Sequence, residues 1–305
     1  MPSHVAGVLH TAKANKGLML GMAMLLAVVL VAVLSPLLLP YPPGESSLTE
    51  SYRSPSATHW FGTDNLGRDI FSRVMAGAPI ALRVVAEVLV IAGLIGTTLG
   101  IAAGYCGGFV DSTIMRAADL FLAFPNFLLA MALAAAFGAS LENAMLAVAI
   151  SLWPRYARLI RGQFIALREE AFVEAARAIG AGPMRIAVLH ILRNCVGPLL
   201  IQLSLDAAAA ILTTASLSFI GLGASPPTPE WGVMIADSRV YILTFWWMPL
   251  FPGVAITYVA MAFLLLGDGF QDLMNPLLRQ RRQGGSHRGA LRAGIRRLLT
   301  GRAKG

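Results

Sequence analysis

The chain has 305 residues, 56% hydrophobic and 13% charged, against about 45–50% and 25% for a soluble domain. A water-soluble fold of this length has nowhere to bury so much apolar surface, so the composition points to a protein that spans a membrane. The net charge of +8 is carried almost wholly by arginine, because Lys13, Lys16 and Lys304 are the only lysines, and none of them precedes Ser or Thr. That excludes a G-x-x-x-x-G-K-[ST] phosphate loop. The two cysteines, Cys106 and Cys195, form no CxxC pair and read as small apolar side chains with no redox or metal role.

A membrane span needs about 20 apolar residues. Leu18–Leu39 carries no charge and is the clearest candidate. It is too long for a signal-peptide core, and no small-x-small cleavage site follows it, so it is expected to be retained. An outer loop over residues 40–80 follows. The second span, Val84–Gly104, has Gly96, Gly100 and Gly104 at four-residue spacing. This leaves one helix face nearly bare for close packing, either within the chain or against a second subunit. Glu87 stands four residues after Arg83, the spacing of a local ion pair. The third span, Leu120–Phe137, contains Pro125 and is expected to be one kinked helix. Asn143–Trp153, extended at its edges, is a short fourth span, and a long loop occupies 155–194. Val196–Leu222 and Trp247–Leu266 complete an all-α, polytopic membrane protein with six transmembrane helices. Its expected division is a segment 1–17, a transmembrane domain 18–278 and a basic tail 279–305.

Charge sets the orientation. With the first residues inside, cytoplasmic segments hold all of the 24 Lys and Arg except Arg53, Arg68, Arg73, Arg83 and Arg239. The positive-inside rule then puts both termini in the cytoplasm, which requires an even number of spans.

Within the loop 155–194, Phe172, Val173, Ala176 and Ile179, at i, i+1, i+4 and i+7, share one helical face. Gly180 is placed to end that helix, with Gly182 and Pro183 enforcing the break. A second helical stretch starts at Met184 and leads into the fifth span. The product is a short amphipathic helix with small alanines at its centre, a shape suited to a partner's groove.

Glu174-Ala175-Ala176, three residues, then Gly180 resembles the EAA motif of ATP-binding-cassette (ABC) importer permeases. His190-Ile191-Leu192-Arg193-Asn194 follows it, with Arg193 where relatives usually have Pro. Three further stretches narrow the likeness to the dipeptide, oligopeptide and nickel permeases. The run His59-Trp60-Phe61-Gly62-Thr63-Asp64-Asn65-Leu66-Gly67-Arg68-Asp69 is similar to their H-x-x-G-T-D-x-x-G-R-D outer-loop signature. Phe219–Gly223 with Pro226–Gly232 looks like the loop after their fifth span. Gly267-Asp268-Gly269 with Asp272 and Asn275-Pro276 looks like their closing motif, which more often ends in Asp-Pro. The resemblance covers roughly residues 15 to 280 and lies nearest the second permease subunit of dipeptide importers. It implies a type I ABC importer permease fold and a bacterial cytoplasmic (inner) membrane location. It implies that the 155–194 loop couples to an ATPase through Glu174, Ala175, Ala176 and Gly180. The implied partners are a homologous second permease, two ATPase subunits and an extracytoplasmic solute-binding protein, with short peptides as cargo. The chain itself would be no enzyme and need no cofactor.

Asp206 falls inside the fifth span, where a carboxylate must face a cavity or find a partner. It either lines the path and meets a peptide amino group or bonds a neighbouring helix. The outer-loop signature, Gly62, Thr63, Asp64, Gly67, Arg68 and Asp69, either meets a binding protein or folds the loop on itself. His190 is expected to hydrogen-bond within the coupling region. The basic tail is expected to be mobile and to touch anionic lipid headgroups, with no nucleic-acid role. The rival readings are a nickel or other small-solute permease of the same family, and an ion-coupled secondary carrier using Asp206 and Glu87.

Overall fold

Apolar segments in hydrocarbon can satisfy their backbone only as helices or closed barrels, and the apolar segments among the described residues are helices. The computed structural model describes residues 15–274; the tail 279–305, residues 1–14 and the Asn275-Pro276 pair lie outside them. In chain order the helices are α1 (Lys16–Leu38), α2 (Ile70–Cys106), α3 (Gly108–Leu122), α4 (Asn126–Phe137), α5 (Leu141–Leu167), α6 (Ala171–Ala178), α7 (Leu192–Phe219), α8 (Trp231–Ser238) and α9 (Trp247–Met274). A helical run begins at Pro183, widens into a π-type segment over Ile186–Ile191 and continues unbroken as α7. Among the described residues the only β pairing is a single bridge between Thr63 and Asp69.

Four helical runs, α1, α2, Pro183–Phe219 and α9, are long and apolar enough to cross a membrane, and α3 with α4 makes a fifth as a bent pair. The expected single third span is therefore corrected. The chain breaks into two helices at 93°, with Pro125 at the N-terminal cap of α4, because proline disfavours helical backbone in the residue before it. The short fourth span is corrected as well. α5 runs 27 residues to Leu167, about 40 Å at 1.5 Å per residue. The first part of the expected 155–194 loop is thus helix. Arg155, Arg158 and Arg161 crowd its second half, which is why composition alone does not mark α5 as a span. The helix of the second span also starts earlier than expected, at Ile70 inside the 40–80 loop.

Two faces follow from the helix ends. Arg83 of α2 lies 3.7 Å from Glu142 of α5, and Gly104 at the far end of α2 packs on Phe164 of α5, so these helices run in the same direction. Trp247, which opens α9, donates from Nε1 to the Thr63 carbonyl at 3.3 Å. At the other end of α9, Asp272 accepts a 3.0 Å hydrogen bond from Asn15, the cap of α1. One face therefore holds the start of α1, α6, the Pro183 run and the end of α9. The opposite face holds residues 40–69 and the loops around α8.

The glycine face of α2 is spent within the chain. A Cβ on Gly100 would sit 2.7 Å from the Ala157 carbonyl oxygen and 2.8 Å from Ile160 Cβ, and one on Gly96 would collide with Tyr156 and the Trp153 carbonyl. The α2–α5 seam is thus a backbone-to-side-chain contact with no room for a methyl group. Gly162 on the open side of α5 has nothing within 4 Å. Gly100→Ala is expected to cost about 1–3 kcal/mol through overpacking. Gly162→Ala is expected to gain up to about 1 kcal/mol from helix propensity. Thermal unfolding of the detergent-solubilised protein should order the variants Gly162→Ala, wild type, Gly100→Ala.

Candidate functional site

The outer-loop signature folds into a cap whose polar side chains point inward. Asp64 Oδ1 accepts from the Leu66 and Arg68 N–H groups, both at 2.9 Å, and its Oδ2 accepts from Arg68 Nε at 2.6 Å. Asp69 caps α2 by accepting from Ser72 N–H at 2.8 Å. Its other oxygen meets His59 Nδ1 at 2.9 Å, while His59 Nε2 meets Glu50 at 3.0 Å. Thr63 Oγ1 accepts from Arg53 N–H at 2.9 Å and donates to the Glu50 carbonyl. Gly62 and Gly67 have φ of 75° and 73°, the left-handed region that favours glycine. Arg73 is buried beneath the cap and ties two distant strips together, donating to the Pro43 carbonyl at 2.9 Å and the Pro227 carbonyl at 3.2 Å. Asp237 of α8 stands 3.7 Å from Arg68; burial pushes its carboxyl above the usual range, partly offset by Arg68 and Arg73. Thr63, Asp64, Arg68 and Asp69 are all buried. Their hydrogen bonds go to the loop itself and to α2, so they build the cap and leave little side-chain surface for a visitor.

On the opposite face, α6 sits below α5. Val173 and Ala176 are buried among Ile160, Phe164, Ile186, Ala187, Ile191 and Cys195, while Glu174 and Ala175 face outward. This corrects the expected face. Ala176 is turned into the chain, and Ile179, 84% exposed, lies past the helix end. Gly180, with φ of 80°, closes α6 in a Schellman turn: Ala181 N–H donates to the Ala176 carbonyl at 3.0 Å and Gly180 N–H to that of Arg177 at 2.9 Å. A cavity of about 590 Å³ behind α6 is lined by Tyr105, Phe164, Arg168, Arg177, Pro183 and neighbours. The His190 carbonyl accepts from Asn194 Nδ2 at 2.7 Å; among the described residues its ring makes no hydrogen bond, which corrects the expected role.

Asp206 is brought to a partner that its own segment did not suggest. Arg155 of α5 donates from Nη1 to Asp206 Oδ1 at 2.8 Å, and Gln202 Nε2 donates to Oδ2 at 2.9 Å. Glu142 and Arg168 flank Arg155 at equal separations along α5, each about 20 Å away, and Asp206 lies about 20 Å from either end of α7. The pair therefore lies well inside both helices, and a charge within a membrane helix needs a partner or a water-filled cavity. Only 2% of the Asp206 side chain is exposed, against 39% of Arg155. Arg155 was missed because α5 was expected to stop at Trp153. The buried stripe Trp153, Tyr156, Ala157, Ile160, Phe164 continues the helical period past that point and carried the signal. Glu87 accepts from Arg83 Nε at 2.6 Å, the expected i, i+4 pair.

A bundle of apolar helices with an internally tied cap on one face and an outward-turned amphipathic helix on the other is the architecture of a multi-pass membrane protein. Residues 96–280 match the model of the binding-protein-dependent transport system inner membrane component, and residues 6–55 match the N-terminal transmembrane domain of oligopeptide transport permease C. The chain is 48% identical over 247 residues to the probable D,D-dipeptide transport system permease protein DdpC of Escherichia coli K12, covering 81% of this chain and 83% of that one. It is 43% identical to the dipeptide transport system permease protein DppC of Alkalihalophilus pseudofirmus, covering 88% of each chain. It is 42% identical to the nickel transport system permease protein NikC of E. coli K12, covering 82% of this chain and 90% of that one. The protein belongs to this family of binding-protein-dependent inner-membrane permeases.

Removing Asp64 strips two buried guanidinium groups of a carboxylate and two backbone N–H groups of an acceptor. Asp64→Ala is expected to cost about 3–5 kcal/mol, to lower the melting temperature and to open the 40–69 segment to protease in the detergent-solubilised protein. Unchanged cleavage and melting would show that the cap does not depend on this pairing.

Proposed function

We propose that this chain is one of two homologous permease subunits of an ABC importer for short peptides, dipeptides first. Separate ATPase subunits drive it from the cytoplasm and an extracytoplasmic binding protein supplies it. The relatives named for dipeptide transport support the cargo. The face carrying α6 is the cytoplasmic one in this reading, because the arginines around Arg158–Arg193 lie there, and the two ends of the described chain, Asn15 and Asp272, meet on that side.

The observation that carries the mechanism is the attachment of α6. Val173 and Ala176 pin it to the base of α5 and to the π segment that becomes α7, while Glu174 and Ala175 are free to meet an ATPase cleft. A push on α6 would be delivered to two membrane helices at once, with the Gly180 turn keeping its angle fixed. ATP-driven closure of the ATPase pair would then switch the path between the two permeases from outward- to inward-facing.

Cysteine crosslinking separates the two sides of α6. In the assembled complex, Ala175→Cys is expected to bridge to a cysteine in the ATPase cleft, and Ala176→Cys is not, because its side chain points into the chain. Equal yields at both positions would overturn the docking geometry. In proteoliposomes, dipeptide uptake should require the second permease, the ATPases and the binding protein together. Uptake by the isolated chain on an ion gradient would sink the importer reading. Nickel uptake in place of peptide by the complete complex would overturn the cargo alone.

A further inference from the structure

The Arg155–Asp206 pair asks why a guanidinium stands half-exposed between two helices of a membrane bundle. A lone ion pair meant only to join α5 and α7 would be sealed on both sides, as Asp206 is. Instead the two partners differ sharply: 2% of the Asp206 side chain is exposed and 39% of Arg155. Both Asp206 oxygens are already taken, one by Arg155 and one by Gln202. The carboxylate is thus closed to any visitor, which removes it as a contact for a peptide amino group. Arginine has five N–H donors in a planar fork. Among the described residues, Asp206 is the sole hydrogen-bond partner of Arg155, through Nη1 alone.

Within such a bundle the open edge of the guanidinium cannot be left to lipid, since charged side chains in membrane helices face a water-filled cavity or a partner. Asp206 holds the guanidinium in place, and the pair behaves as a dipole with its negative end buried and its donors outward. A group with acceptor oxygens is what such an edge binds, and a carboxylate matches the fork best.

We infer that the open edge of Arg155, braced from behind by Asp206 and Gln202, is a subsite in the translocation path for the C-terminal carboxylate of the peptide. The inference rests on the peptide-importer reading above. Asp206 and Gln202 are positioning residues here, and Arg155 makes the contact.

The test uses the complete complex in proteoliposomes, with the binding protein saturated by either a free-acid dipeptide or its C-terminal amide. Peptide delivered per ATP hydrolysed is read, so that affinity for the binding protein drops out. The wild-type complex is expected to deliver the acid about tenfold better than the amide, the scale of one charge-assisted hydrogen bond. In the double variant Arg155→Gln with Asp206→Asn, which leaves no buried unpaired charge, acid delivery should fall to the amide level. Equal delivery of acid and amide by the wild type overturns the inference without reference to any variant, and so does a preference that survives in the double variant. A complex that takes up neither peptide overturns the peptide reading together with this one.

Discussion

Hydrocarbon offers no water to a polar group, and that single deficit organises this molecule. Backbone groups close on themselves in helices. Hydroxyls inside the helices do likewise: Thr98, Ser204, Ser216 and Thr257 each donate to the carbonyl four residues earlier, at 2.7–2.9 Å, so they add no unmet donor to the bilayer. Charges obey the same rule at higher stakes. Arg155 is tolerable inside the bundle because Asp206 faces it, and Asp206 because Arg155 and Gln202 both reach it. Toward the face that carries α6, Asp111 and Asp119 of α3 take up Arg161 and Arg158 of α5, which holds α3 against the bundle.

The two faces spend their polar residues in opposite ways. In the cap, Asp64, Arg68, Asp69 and His59 all turn inward, and the loop becomes a rigid platform joined to α2 by the Asp69 cap, to α8 through Asp237 and to α9 through Trp247. In α6, the apolar pair Val173 and Ala176 turns inward and Glu174 turns out. A motif of charged residues thus proves to be architecture, and a motif centred on alanines offers the exposed surface. Burial, not residue type, separates the two.

Between these faces runs the seam of α2 and α5. Because Gly96, Gly100 and Gly104 admit no side chain, the two helices touch along nearly their whole shared length. α5 in turn carries Arg155 at its middle and supports α6 at its end. The support of α6 and the Arg155 guanidinium therefore sit on one continuous helix.

Composition and local pattern were enough to read the membrane class, the apolar spans, the Arg83–Glu87 pair, the Gly180 helix stop and the motif around Glu174, because each depends on residues within one or two helical turns of each other. Where the chain bends and which residues meet across it was decided by tertiary structure. Pro125 could mark a kink or a break, and the folded chain shows a 93° break. Trp153 looked like a helix end because arginines follow it, yet the helix continues since Asp111, Asp119 and Asp206, each at least 39 residues away in the chain, neutralise those arginines. Asp206 could name its need for a partner but not the partner, and the glycine face of α2 could promise a close contact without saying with what. Local spacing reveals what a residue requires; only the folded chain shows who supplies it, because the suppliers come from other helices.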